Sequence, residues 1–162
     1  MGKVEQEIRD RLHAYAAAFS SQEIARILPH YARNGLVTFY RFPRGNQAAP
    51  STVRVFNGKL PSALLRFKLP LGLMMRAMLY GLRRRGYARS VIEIFDVEAR
   101  DANLARAHVR FDRLDGTGKV YESLTAVYVL TLEVDTWRIH EVWAFDPDSP
   151  PPPALGIARH AR

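Results

Sequence analysis

The stretch Ser90–Pro147, SVIEIFDVEARDANLARAHVRFDRLDGTGKVYESLTAVYVLTLEVDTWRIHEVWAFDP, decides the fold. Within it Ala105, Ala107, Val109 and Phe111 alternate with Arg106, His108, Arg110 and Asp112, a period of two that gives a strand one apolar and one polar face. Val91–Glu98 predicts the strand before it. Asp115-Gly116-Thr117-Gly118 predicts a hairpin turn into a long strand over Tyr121–Val134, and Asp135 turns that strand into a last one, Trp137–Phe145. In the long strand Leu124, Ala126, Tyr128, Leu130 and Leu132 share one side, which leaves Ser123, Thr125, Val127, Val129 and Thr131 on the other.

Upstream of this meander the apolar period changes. Val4, Ile8, Leu12, Tyr15 and Phe19 recur at three- and four-residue spacing, so one stripe of a first helix faces the core. Ser20 and Glu23 have capping-box spacing and predict a second helix carrying Ile24, Ile27, Leu28 and Tyr31, which Pro29 kinks or restarts. Asn34-Gly35 ends the helical region. Strands follow at Leu36–Phe42 and Thr52–Phe56, and Leu71, Met75, Met78 and Leu82 mark a third helix between Pro70 and Gly86. Helices followed by a mostly antiparallel meander make an α+β domain with the helices on one face of the sheet.

Composition sets limits. At 162 residues the chain is expected to form one core, burying roughly 70% of the surface of its unfolded form. A hydrophobic share of 48% with 25% charged residues excludes global disorder. With no cysteine there is no disulfide scaffold, thiol nucleophile or thiolate metal site, and a reducing compartment fits. The first residues lack the apolar run of a secretory signal, so the expected location is cytoplasmic. Leu60–Leu82, the longest apolar-rich stretch, is interrupted by prolines, glycines and Arg66, Lys68 and Arg76, and is no membrane span. The net charge of +8 suits an acidic partner, but the excess is scattered apart from Arg83-Arg84-Arg85 and the last four residues, and no basic and aromatic side chains alternate on a reading surface. No specific nucleic-acid binding is expected. Glycine-rich phosphate loops, the Gly-x-Ser-x-Gly elbow and paired histidines at metal spacing are all missing, so neither a cofactor nor a metal is expected. The domain is expected to span residues 1–147, and residues 148–162, with Pro150-Pro151-Pro152-Pro153, form an extended or disordered basic tail.

Five segments carry a resemblance: IRDRLHAYAAAF (8–19), EIARILPHYA (23–32), LRRRGYARS (82–90), ESLTAVYVLTLE (122–133) and WRIHEVWAF (137–145). In type, order and spacing they resemble the nuclear transport factor 2-like superfamily, above all its SnoaL-like branch. That resemblance implies a curved sheet wrapped around three helices into a cone with one open end. The superfamily includes ketosteroid isomerases, scytalone dehydratases, limonene epoxide hydrolases and polyketide cyclases beside pure binding and dimerisation modules, so the fold leaves function open.

What the resemblance implies for the site is uneven. Tyr15 matches the first-helix tyrosine by which ketosteroid isomerases hold an oxyanion, and Tyr128 falls near their second donor. Their basic aspartate falls near Phe39, and the aspartate that scytalone dehydratases place beside the tyrosine is Ala16. Arg110-Phe111-Asp112, with Asp146, resembles the arginine and aspartates of limonene epoxide hydrolases, although the same residues read equally as a solvated strand face. His140 is a candidate base because imidazole titrates near neutrality. Tyr15, Tyr128, His140 and Asp146 are therefore the candidate catalytic residues. A ligand pocket in the cone is expected to be lined by Tyr15, Met75, Met78, Leu124, Tyr128 and Ala144, the adaptable methionines suiting a hydrophobic small molecule. Two functions follow: a small-molecule-binding domain with possible isomerase, dehydratase or cyclase activity, or a non-catalytic interaction module using the outer sheet face and the basic third helix. Because Val127 and Val129 face outward near Trp143 and Phe145, that outer face is expected to meet a second copy in a homodimer.

Overall fold

In the computed structural model, which describes residues 2–59 and 69–157, the chain begins with the first helix, α1 (Lys3–Ser21). Its buried side chains are Ile8, Leu12, Tyr15, Ala16, Ala18 and Phe19, the stripe that the spacing predicts. The second helix is shorter than its apolar pattern. α2 (Ile24–Ile27) makes one turn and passes into a 3₁₀ turn (Leu28–His30) holding Pro29, whose missing N–H and fixed φ end the α-helical ladder. The capping box does not form either. Glu23 is the N-cap and makes no side-chain cap, while Ser20 stays in α1 and its Oγ accepts the Ser90 amide at 3.0 Å.

Two strands follow, β1 (Gly35–Arg41) and β2 (Ser51–Asn57), paired antiparallel. Gly58 closes this hairpin against Asn34 at φ +128; a Cβ there would sit 2.5 Å from the Asn34 Oδ1, so only glycine fits. A two-residue strand, β3 (Leu69–Pro70), leads into α3 (Leu71–Arg84), which buries Leu71, Met75, Leu79 and Leu82. The meander is then β4 (Tyr87–Ala99), β5 (Leu104–Asp115), β6 (Val120–Glu133) and β7 (Thr136–Phe145).

Among the described residues the seven strands form one sheet in the order β3-β2-β1-β7-β6-β5-β4. The join that the local pattern does not announce is β1 to β7, a parallel pairing of Thr38–Arg41 with Glu141–Ala144 that stitches the first hairpin to the end of the meander. Register shifts at Ile94/Asp96, Arg113/Leu114 and Val129/Leu130 mark bulges, and such bulges deepen the twist and curl of a sheet. The result is the curved, unclosed α+β cone.

Three polar contacts fasten α1 across the concave face: Trp137 Nε1 donates to Glu7 at 3.2 Å, Arg9 to the Ile94 carbonyl at 3.1 Å, and Ser90 to Ser20 as above. Gln22, in the left-handed region at φ 60, caps α1, and its side chain and carbonyl receive Arg83 from the end of α3. The core lies between these helices and the inner side chains Val37, Val109, Ala126, Leu130 and Ile139, all fully buried. After β7 the chain continues over the outer face. Asn46 holds it by donating to the Asp146 and Pro150 carbonyls, Arg106 donates to the Leu155 carbonyl at 2.8 Å, and Leu155 packs with Phe42, Val127 and Phe145. The last proline of the run, Pro153, opens a 3₁₀ turn that ends at Leu155. Among the described residues no helix is long and apolar enough to cross a membrane. Of the interrupted stretch Leu60–Leu82, residues 60–68 lie outside the described residues.

Candidate functional site

A cavity of about 280 Å³ remains between α1, α3 and the concave sheet. Its position follows from curvature: the sheet bends away from helices whose side chains are too short to meet it at the open end. All six residues expected to line a pocket do so, Tyr15, Met75, Met78, Leu124, Tyr128 and Ala144. Met74 joins the two methionines, and Phe19, Phe39, Val53, Phe111 and Val142 extend the apolar part of the wall.

At the floor stand three tyrosines from three separate parts of the chain. α1 supplies Tyr15 and β6 supplies Tyr128. Tyr31 comes from the segment after the 3₁₀ turn, where a bridge to Ile139 and the amide bond from Ala32 to the Ile139 carbonyl fix the backbone. Asn57 clamps the same segment by donating to the Leu28 and Ala32 carbonyls at 3.1 and 2.9 Å. The Tyr15 and Tyr31 hydroxyls are 2.6 Å apart, and Tyr15 meets the Tyr128 ring edge-on at 5.8 Å between centroids. Tyr31 was expected only as an apolar position on a helix; its hydroxyl is the functional group that local sequence reading misses.

Burial raises all three phenols above their ordinary range. For Tyr15 hydrogen bonding from Tyr31 and Tyr128 and the charge of Arg113 pull partly the other way, whereas Tyr31 and Tyr128 are pushed well above it by burial and by Tyr15. At neutral pH the trio is therefore uncharged, and each phenol keeps an O–H to donate. When Tyr31 and Tyr128 both donate to the Tyr15 oxygen, the Tyr15 proton is free for an acceptor in the cavity. That arrangement suits a ligand carbonyl, or an oxygen on which negative charge develops.

The other two candidates lie elsewhere. His140 sits at the β6–β7 bulge and its Nε2 is 2.8 Å from Glu133 Oε1, outside the cavity wall. Asp146 accepts from Ser149 Oγ at 2.7 Å and from the Asp148 amide at 3.0 Å, bonds that hold its carboxyl below the usual range and build the turn after β7. Arg110 and Asp112 pair at 2.9 Å on the outer side of β5, with Ser123 donating to Asp112. Among the described residues no carboxylate or imidazole lines the cavity, and no group of histidines and acids could hold a metal. Behind Tyr15, outside the wall, His30 is buried with no partner for Nδ1, and desolvation, then Arg11 and Arg138, lower its pKa to about 4.

Comparison with known proteins places this architecture. A family model described as "NTF2-like protein (DUF6841)" matches residues 71–146. That segment, α3 through β7, is NTF2-like. Solved structures agree on the fold. An NTF-2 like protein of unknown function from Shewanella oneidensis is 14% identical, with 87% of this chain and 98% of that one covered at a TM-score of 0.57. A ketosteroid isomerase-like protein from Erwinia carotovora atroseptica, also 14% identical, covers 91% and 99% at 0.56. A Nostoc punctiforme domain of unknown function with a cystatin-like fold is 12% identical and covers 90% and 78% at 0.59. No curated protein matches the chain. In this NTF2-like cone Phe39, where the resemblance to ketosteroid isomerases puts the base, does line the cavity, and it brings a ring instead of a carboxylate.

Proposed function

We propose that the cavity binds a hydrophobic small molecule through an oxygen acceptor, most simply a carbonyl, seated against the tyrosine trio. The observation that carries this reading is the Tyr15–Tyr31 hydroxyl pair at 2.6 Å, with Tyr128 beside it, on the wall of a largely apolar void. Phenols buried only to pack would be expected to satisfy one another away from open space, and here they border it. The same donors would stabilise an oxyanion, which is half of what an isomerase, a dehydratase or a cyclase of the SnoaL-like kind requires. The wall formed by the described residues adds no base, so the reading favours binding and carbonyl polarisation over proton abstraction.

Calorimetric titration with 2-acetylnaphthalene tests the reading. Replacing both Tyr15 and Tyr128 by Phe is expected to cost about 1–3 kcal/mol of affinity while circular dichroism stays unchanged. Equal affinity in the double variant would show the tyrosines to be packing alone.

A further inference from the structure

Two strands break the apolar pattern of the concave face. Along β1 the inward residues Val37 and Phe39 are followed by Arg41, and along β5 Val109 and Phe111 are followed by Arg113; both arginines line the cavity. β1 runs parallel to β7, and β7 is antiparallel to β6 as β6 is to β5, so β1 and β5 point the same way; the register sets Arg41, an exposed residue at the rim, level with Val109, and Arg113 four residues farther along β5. Inward-facing cations cost desolvation free energy unless something compensates it. For Arg113, whose side chain is only 14% exposed, the compensation is Glu122 on β6 at 2.5 Å. Glu122, however, is shared: Arg85 approaches its other oxygen at 3.6 Å. One carboxylate thus serves two guanidinium groups, which leaves the Arg113 end of the cavity with excess positive charge, and Arg41 adds another at the exposed rim. That charge reaches the floor, since Arg113 acts on both Tyr15 and Tyr128.

We propose that the ligand is an apolar monoanion, an aromatic or alicyclic carboxylic acid, whose carboxylate is received by Arg113 while its ring body fills the space among the methionines and aromatic side chains. The proposal rests on the reading that the cavity binds a small molecule at all. A guanidinium presents a planar fork of donors matched to a carboxylate, and the apolar walls lower the local dielectric and strengthen the contact. Glu122 holds the fork in place and also opposes the incoming charge, so Arg113 and Glu122 should affect anion binding in opposite directions.

The experiment is calorimetry at pH 7 with a matched pair of probes, 2-naphthoate and 2-acetylnaphthalene, on the full chain and on Arg113→Gln and Glu122→Gln. The intact protein is expected to prefer naphthoate about tenfold or more, a hydrogen-bonded charge contact being worth at least that much. Arg113→Gln should abolish the preference by weakening naphthoate far more than the ketone, whereas Glu122→Gln should hold naphthoate as tightly as before or more so. Equal affinity of the intact protein for the two probes overturns the anion assignment and leaves the cavity reading standing. Failure of both probes to bind overturns the cavity reading and this inference with it. Should Arg113→Gln not fold, the intact-protein comparison and Glu122→Gln still decide, because a loss of naphthoate binding in Glu122→Gln contradicts the proposed sign.

Discussion

The two faces of the β5–β6–β7 sheet come from a single alternation and end under very different covers. On the concave face Ala107, Val109, Ala126, Leu130 and Ile139 are sealed by helices, and the mismatch between straight helices and a curling sheet leaves a cavity. On the convex face Thr125, Val127 and Phe145 are also buried, yet there Leu155, from the short 3₁₀ turn of the C-terminal segment, packs over Val127, Phe145 and Phe42. The difference teaches that period two assigns residues to faces and says nothing of what will cover each face. A rigid layer of helices can enclose space, whereas a short single segment of chain lies flush on the strands it covers.

The largest effect that separates the faces should come from paired truncations. Leu130→Ala on the inner side removes a fully buried side chain from the middle of the core and is expected to cost about 2–5 kcal/mol, against about 1–2 kcal/mol for Val127→Ala on the outer side, by chemical denaturation. Comparable losses would mean that the outer cover is as much a part of the core as the helices are.

Acid probes the inner face next. His30 takes up a proton near 6.5 when unfolded and only at about 4 when folded, so protons favour the unfolded chain throughout that window and stability falls as pH falls. The loss should approach about 3 kcal/mol by pH 4, since a shift of one unit is about 1.4 kcal/mol. Arg11 and Arg138, the charges facing the ring, deepen the effect. Subtracting the pH profile of His30→Gln isolates it, and identical profiles for the two proteins would refute the assignment.

Removing residues 148–162 tests the outer cover. Exposing the apolar patch around Val127 and Phe145 is expected to cost about 2 kcal/mol, in line with the burial of one leucine, and to promote self-association detectable by light scattering at tens of micromolar. The expected homodimer takes a definite form here: pairing through the outer face would have to accommodate or displace the strap, so the shortened chain should associate more strongly than the intact one. A strict monomer for both chains would remove outer-face pairing.

Much of this was legible in the sequence, and what was not has physical causes. The meander, α1 and α3 declare themselves because each repeats its period over ten residues or more. Tyr15 and Tyr128 could be placed in one cavity because stripe and parity set the direction of a side chain. Tyr31 could not, since its place depends on where Pro29 stops a helix and on a bridge to Ile139 more than a hundred residues away, a pairing that no local pattern encodes. Arg113 was within reach: extending the alternation of Val109 and Phe111 by one step turns it inward, though a charged residue after four apolar ones reads as the end of a face. Ser20 and Glu23 satisfied the spacing of a capping box, yet α1 continued through the serine because Ser90 offered it a tertiary partner.

The parallel seam between β1 and β7 also governs how the protein is made. During synthesis α1 and the first hairpin leave the ribosome about a hundred residues ahead of the strand that must lie beside them, and contacts of such long sequence separation form late. Until Val142 and Ala144 emerge, the cavity lacks one of its walls and Val37 and Phe39 have no neighbouring strand on that side. The nascent N-terminal third must therefore carry an unsatisfied strand edge and an apolar helix stripe through most of translation, and this is the interval in which the chain depends most on being shielded from its own copies.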